Sequence, residues 1–340
     1  MVHASLLAFA LICGLSTVNA SREGKEVRPS LGCGSERDSF PRDSLFEHPN
    51  GDRTRTWTEY IPKTYNASTP APLLIYFHGQ FGNGHSTAQK LPFAKIASIP
   101  LITAYPQGID DAEDSDCGTG WNVGVMGHDA ETCNSAAFSQ TCCYKTCRAQ
   151  GLCSGDGKNA NCGWSTCLDD SAFLMEVIST LGEELCIDLN SVHLAGGSNG
   201  GMFTHDAYAQ HPNVFRSVNP VYGLPLKNHI DVPEKLVDTS IYHFHDRSDG
   251  VIPADGGFAG GWEYESADDV LATWAQLHGC DDSQTRFVTP HDGGSRNAEC
   301  FEHANCETGQ KIVKCMYDGN HGDWPDRGQL LLWLNGLLDK

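Results

Sequence analysis

Ser191-Val192-His193-Leu194-Ala195-Gly196-Gly197-Ser198-Asn199-Gly200-Gly201-Met202 decides how this chain reads. Val192, Leu194 and Ala195 form an apolar run of strand type that stops at a serine flanked by glycines, and the pattern from Met202 to Ala209 is helical. Gly196-x-Ser198-x-Gly200 has the spacing of a sharp strand-to-helix turn that exposes a nucleophile. Glycines are needed there because a Cβ would clash in so tight a bend. The helix N-terminus behind the serine offers unpaired N–H groups and partial positive charge to a developing oxyanion. By itself the motif also fits an ordinary glycine-rich turn, so the surrounding chain has to decide.

Outward from that turn, strands and helices alternate. Arg53 to Ile61 alternates polar and bulky residues, the pattern of a half-buried edge strand. Pro72 to Phe77 is continuously apolar and short, as a strand covered on both faces should be. It runs into His78-Gly79-Gln80-Phe81-Gly82, where glycines after a buried strand indicate backbone approaching a ligand, or a plain strand-to-helix loop. Ser86 to Ser98 reads as a helix and Pro100 to Tyr105 as a strand. Asp169 to Leu185 begins with capping acids and puts Phe173, Val177, Leu181 and Leu185 on one face. Ser217 to Tyr222 and Ile241 to His245 are further strands, Glu263 to His278 a helix, and 281–310 loop-like. Lys311 to Met316 is the last expected strand, and Gly328 to Leu338 a closing helix. The alternation predicts an α/β fold with a mostly parallel sheet and helices on both faces.

Composition bounds the setting. Residues 1–20 read as a signal peptide: Leu6 to Leu15 is apolar but too short to span a bilayer, and Val18-Asn19-Ala20 suits cleavage, although the n-region lacks Lys and Arg. Residues 21–340 then form a single domain, with 21–50 polar and irregular. Of 15 cysteines only Cys13 is in the leader, and an even, high count in an exported chain predicts a disulfide framework, with Cys33 stapling the N-terminal arm. Residues 109–168 are Cys-, Gly- and Asn-rich with little periodicity, which predicts a disulfide-held insertion of the lid or binding-loop kind. Its cysteine spacings match no standard zinc pattern, and His243-x-His245 lacks a third ligand, so no metal site is expected. Trp121-Asn122 either lines a substrate cleft or packs beneath the loop. The net charge of −20 disfavours nucleic acid as a partner, no segment suits a membrane, and Asn66-Ala67-Ser68 is a sequon for a surface glycan.

Two more loops complete the constellation. Ile241 to His245 delivers Asp246 and Asp249, either of which sits where a carboxylate could orient a histidine, and Lys311 to Met316 delivers His321. Serine, acid and histidine in that chain order, each after a strand, point to nucleophilic acyl transfer.

His78-Gly79, Tyr105-Pro106-Gln107-Gly108, Trp121-Asn122, Asp169-Asp170, Gly196 to Met202, His245-x-x-x-Asp249-x-Val251-Ile252-Pro253 and Gly319-Asn320-His321 with Trp324-Pro325 occur in order. As a set they resemble secreted feruloyl esterases and polyhydroxybutyrate-depolymerase-like esterases, over about residues 50–335. The resemblance implies an α/β-hydrolase without a cofactor that cleaves carboxylic esters, with Ser198 as nucleophile, Asp249 as acid and His321 as base. It makes the backbone N–H groups of Gln80 and Asn199 the oxyanion donors and suggests substrate contacts from Trp121, Asn122 and Trp324. The expected substrate is a hydroxycinnamoyl ester on plant cell-wall polysaccharide, and the expected form a secreted monomer. Short-chain or acetylxylan esters, polyhydroxyalkanoates, and a catalytically silent carbohydrate-binding protein are the alternatives. Two departures stand out: one extra residue in His321-Gly322-Asp323-Trp324-Pro325, and a longer Cys-rich stretch.

Overall fold

The computed structural model describes residues 26–35, 42–47, 54–111, 118–123, 145–149, 166–227, 239–260, 262–289, 298–307 and 309–323. The leader, most of the Cys-rich stretch, Trp324 and the closing helix expected at 328–338 lie outside these residues.

Among the described residues, fourteen strands and six helices follow one another along the chain. Strands β1 (Arg42–Glu47), β2 (Thr54–Tyr60) and β3 (Ala71–Phe77) precede helices α1 (Gly84–Lys90) and α2 (Phe93–Ile96). After β4 (Ile102–Pro106) come the short β5 (Ile109–Asp110), β6 (Thr119–Gly120) and α3 (Lys145–Ala149). The centre of the fold is α4 (Asp170–Glu184), β7 (Ile187–Gly197), α5 (Asn199–Gln210), β8 (Ser217–Val221) and β9 (Ser240–Asp246). A small hairpin, β10 (Gly257–Ala259) and β11 (Trp262–Tyr264), leads to α6 (Ala267–Leu277). The last three strands are β12 (Gln284–Val288), β13 (Glu299–His303) and β14 (Ile312–Tyr317).

Ten strands make one sheet in the order β1-β2-β4-β3-β7-β8-β9-β14-β13-β12. The six from β4 to β14 pair in parallel, and antiparallel strands extend both ends. Residue alternation along β3 shows that both faces are covered. Leu73, Ile75 and Phe77 join one buried cluster with side chains of α4, α5 and α6, while Leu74 and Tyr76 join another with Phe93 and Tyr105. A fully parallel strand therefore has no polar face to show, which is why its sequence is apolar throughout. This is the α/β-hydrolase architecture that the resemblance implied.

Pro220 interrupts the β8 ladder because it has no N–H to donate. The register pairs Val221 with Phe244, and Tyr222 N–H donates to Phe244 O at 2.7 Å. The proline therefore falls opposite Tyr242 O, and Asn219 Nδ2 donates to that carbonyl in its place.

Four sequence expectations need correction. Residues 42–47 are not irregular but form β1, so β2 is second from the edge rather than the edge strand. The helix expected over 86–98 is split into α1 and α2, because Pro92 cannot donate a helical hydrogen bond and sits as N-cap of the second piece. The helix expected from Glu263 starts at Ala267, capped by Ser266, whose Oγ accepts from Asp269 N–H at 3.0 Å. Residues 281–310 are not loop-like: β12 and β13 pair antiparallel and widen the sheet. That hairpin is tied on by disulfides Cys280–Cys306 and Cys300–Cys315, whereas Cys33–Cys186 fixes the N-terminal arm to the start of β7. Its strand Gln284–Val288 is short and almost wholly exposed, so local pattern could not reveal it.

Candidate active site

The site is assembled at the C-terminal ends of β3, β7, β9 and β14, where parallel strands leave a crevice for ligands. Ser198 follows β7 with φ 56 and ψ −124, a conformation that costs a non-glycine residue about 1–3 kcal/mol. Its neighbours explain how the turn is tolerated. A Cβ on Gly196 would lie 2.2 Å from Gly200 O, and one on Gly200 would lie 2.3 Å from Phe77 O. Ser198 N–H donates to Val221 O at 3.0 Å, and Met202 N–H to Ser198 O at 2.9 Å, so backbone holds the bend from both sides.

Ser198 is the N-cap of α5, a position where serine ordinarily spends its hydroxyl on a helix N–H. Here its side chain makes no cap bond. Oγ instead lies 2.8 Å from His321 Nε2. His321 Nδ1 is 2.7 Å from Asp249 Oδ2, so serine, histidine and acid form one hydrogen-bonded line. Asp249 Oδ1 accepts from Val251 N–H and Ile252 N–H, both at 2.8 Å. Burial pushes the Asp249 carboxyl up, but donors from His245, His321 and Ile252 outweigh it and hold the group well below the usual carboxylate range. It stays ionised in a dry place, as an acid that orients an imidazole must.

Asp246, the other positional candidate, is buried and spends Oδ1 on Ser248 N–H at 2.9 Å. Burial, then the neighbouring Asp249 charge, raises its carboxyl.

His321 sits in a closed turn. Asp323 N–H donates to Asn320 O, and Asn320 N–H to Asp323 Oδ2, both at 2.9 Å. Gly322 takes φ 89, and Tyr317 Oη donates to Asp323 O at 2.8 Å. The bend of this turn falls on Gly322, in the left-handed region that favours glycine. The Tyr222 ring packs edge-on to the His321 ring at 5.2 Å.

The loop after β3 approaches the serine from the other side. A Cβ on Gly79 would lie 3.1 Å from Ser198 Cβ, which brings the Gly79–Gln80 backbone against the hydroxyl. Gly82 N–H donates to Gly79 O at 2.9 Å, closing a turn with Phe81 at φ 60, the positive-φ position of a type II turn. His78 fixes that turn. Gly108 N–H donates to His78 Nε2 at 2.9 Å, so the ring proton is on Nδ1, which donates to Gly79 O at 2.7 Å. Burial lowers the His78 pKa to about 4, so the ring is neutral at physiological pH. Asn199 N–H is the first donor of α5 and, like all first-turn N–H groups, has no intrahelical acceptor.

Of the two readings of Trp121, packing beneath the loop is the one observed. It is fully buried, with Nε1 donating to His78 O at 2.8 Å and its ring edge-on to Phe77 at 4.7 Å. Asn122 is buried as well and its N–H donates to Asp170 Oδ2 at 2.7 Å. Trp121 braces the loop after β3 from below, and Asn122 is tied to the start of α4 and to Leu168 O just before it. Trp324 lies outside the described residues. Asn66 is exposed, with Oδ1 accepting from Ser68 N–H at 2.9 Å.

Three contributors escaped sequence reading. Arg55, buried in β2, bonds Asp170 Oδ1 at 2.6 Å, and His245 contacts Asp249 from inside the sheet. Phe81 keeps 62% of its surface exposed beside Gln80. The charge of Arg55 suggested solvent, and only tertiary context shows otherwise. Among the described residues, no group of three or more His, Cys, Asp or Glu side chains could hold a metal ion.

No family model matches the chain. Feruloyl esterase D of Neurospora crassa is 24% identical over 325 residues, covering 94% of this chain and 90% of that protein. Feruloyl esterase B of Piromyces equi is 23% identical over 274 residues, 76% of this chain and 41% of that protein. Among solved structures, an acetyl xylan esterase from Aspergillus awamori superposes with a TM-score of 0.52 at 12% identity. It covers 87% of this chain and 99% of that one, a likeness of fold.

Proposed function

We propose, from the premise that this chain is a feruloyl-esterase-like α/β-hydrolase, that it hydrolyses hydroxycinnamoyl esters by a Ser198–His321–Asp249 acyl-enzyme mechanism. The protein is a carboxylic-ester hydrolase. The single observation that carries the mechanism is the unbroken line from Ser198 Oγ through His321 to Asp249 Oδ2.

In the first step His321 Nε2 takes the Ser198 proton as Oγ attacks the ester carbonyl carbon. Asp249, ionised, orients the ring through Nδ1 and offsets the imidazolium charge. The carbonyl oxygen becomes an oxyanion, which the N–H groups of Gln80 and Asn199 stabilise. Collapse breaks the ester C–O bond, and the alcohol leaves with the proton from His321. Water then repeats the sequence on the acyl-serine: His321 takes its proton, the acid departs, and Ser198 regains its hydrogen. The strained serine supports this reading, because a hydroxyl withdrawn from its capping bond is available to the histidine.

The alcohol side is a polysaccharide in this reading, and the enzyme acts as a secreted monomer. The residue 1–20 leader, the exposed sequon at Asn66 and the disulfides support an exported glycoprotein, since disulfides persist in oxidising compartments. Among the described residues no helix is long and apolar enough to cross a membrane.

The test is a panel of methyl ferulate, feruloylated arabinoxylan, p-nitrophenyl acetate and p-nitrophenyl butyrate, with Ser198→Ala as control. Ser198-dependent preference for ferulate is expected. Acetate-only hydrolysis would replace the hydroxycinnamoyl assignment with a short-chain one, and full activity of Ser198→Ala would overturn the mechanism.

A further inference from the structure

Against Asp249 lies a line of buried imidazoles that the acyl-transfer scheme does not use. His243 and His245 are adjacent inward positions on β9, and both are fully buried. His245 Nε2 is 2.8 Å from Ile252 O and 3.3 Å from Asp249 Oδ2, the oxygen that also accepts from His321. His243 Nε2 is 3.0 Å from His245 Nδ1.

With both rings neutral, these distances place the protons. A carbonyl oxygen only accepts, so Nε2 of His245 carries the hydrogen. With a neutral ring, Nδ1 of His245 is then bare and accepts from His243 Nε2–H. Burial, followed by repulsion from His245, holds the His243 pKa well below its ordinary value, in keeping with a neutral donor. Every hydrogen in the line points toward the carboxylate. Ile252 closes the circuit, because its N–H donates to Asp249 Oδ1 while its carbonyl accepts from His245.

We infer that His245 is a positioning residue for the triad acid: its Nε2–H, shared between Ile252 O and Asp249 Oδ2 and oriented by His243, locks the carboxylate rotamer that presents Oδ2 to His321. The inference rests on the triad reading above. Without this donor the carboxylate keeps its backbone bonds on Oδ1 but can swing Oδ2 off the His321 axis. Its uncompensated charge also makes His321 more basic. The titratable groups around His245 are Asp249, Asp246, His243, His205 and His321, with Lys314 acting on His243. Of these, only Asp249 is both bonded to His245 and bonded to His321.

Three variants of the full chain, His245→Leu, His245→Gln and Ser198→Ala, test it with methyl ferulate as substrate. His245→Leu should lower kcat by roughly ten- to a hundredfold with KM little changed, and move the acid limb of kcat/KM to higher pH. His245→Gln, whose Nε2 can reach the same place, should recover most of the rate and the original limb. A folded His245→Leu enzyme with unaltered kcat and acid limb would overturn the inference, as would a His245→Gln enzyme damaged equally. If Ser198→Ala keeps activity, the triad reading itself fails; if only the His245 variants are silent, this inference alone does. Nitrogen-15 NMR of the unmodified protein gives a check that needs no variant: His245 should be a neutral Nε2–H tautomer, and an Nδ1–H tautomer contradicts the account.

Discussion

Trp121 and Asn199 exchange two hydrogen bonds: Trp121 N–H donates to Asn199 Oδ1 at 2.7 Å, and Asn199 Nδ2 donates to Trp121 O at 3.2 Å. The side chain of the residue after the serine thus pairs with backbone the way a neighbouring strand would, and ties the start of the Cys-rich stretch to the elbow. Both groups are buried. Asn199→Ala strands a donor and an acceptor in a dry place, each at about 1–3 kcal/mol. A fall in stability of ~2–4 kcal/mol by urea denaturation, with lower kcat, is expected; a change under 0.5 kcal/mol would show the pair is idle.

Gly79 is expected to tolerate a branched side chain poorly. Its absent Cβ would lie 3.1 Å from Ser198 Cβ and 3.3 Å from Gly197 O, closer than ordinary van der Waals contact. Gly79→Val must displace either the serine or the oxyanion loop, and misplacement of this kind costs about a hundredfold in rate. Ferulate hydrolysis measured beside the melting temperature should show a large kcat loss with a small stability change.

Arg55 and Asp170 form a fully buried ion pair that also carries Asn122 N–H, with the guanidinium 4.0 Å from the Phe173 ring centroid. Removing one partner of such a pair leaves a lone buried charge, at about 3–5 kcal/mol. Arg55→Leu should destabilise by that amount, and adding Asp170→Asn should restore part of it. Equal stability of the single and double variants in chemical denaturation would show that the pair is not coupled.

The fold should weaken in acid. Burial lowers His78 to about 4 and His193 and His205 to about 3, below the ~6.5 of an exposed imidazole. The unfolded chain therefore binds more protons than the native one between about 6.5 and 4, and stability is lost as pH falls through that window. Asp249, held low, adds to the loss below about 4, whereas Asp246 and Asp170, raised by burial, act in the opposite sense. Three histidines at up to ~1.4 kcal/mol per pH unit each outweigh two acids. Melting temperatures between about pH 7.5 and 4.5 should fall steadily; a flat profile contradicts the neutral burial of these rings.

How much of this was legible depends on whether a residue's task is local. β3 announces itself because a strand covered on both faces must be apolar, and the elbow because its bend leaves no room for a Cβ at Gly196 or Gly200, two residues to either side of Ser198. His321 is legible from order and position, whereas Asp246 and Asp249 are equal by position and only the family resemblance separates them. β12 was missed because it is short and almost wholly exposed, so pairing with β13, not patterning, makes it a strand. Trp121 was ambiguous because an indole serves equally in a cleft or beneath a loop, and only the bond from Nε1 to His78 O decides. His245 stood out only as half of a His-x-His pair and as the start of a motif, and neither shows that its ring meets the acid four residues later.

The acyl-enzyme is the central claim, and intact-protein mass spectrometry of an acid-quenched reaction with methyl ferulate tests it most directly. The account expects a fraction of the protein heavier by one feruloyl group, mapped by peptide analysis to Ser198 and absent in Ser198→Ala. Ester turnover with the label on another residue, or undiminished turnover by Ser198→Ala, would contradict it.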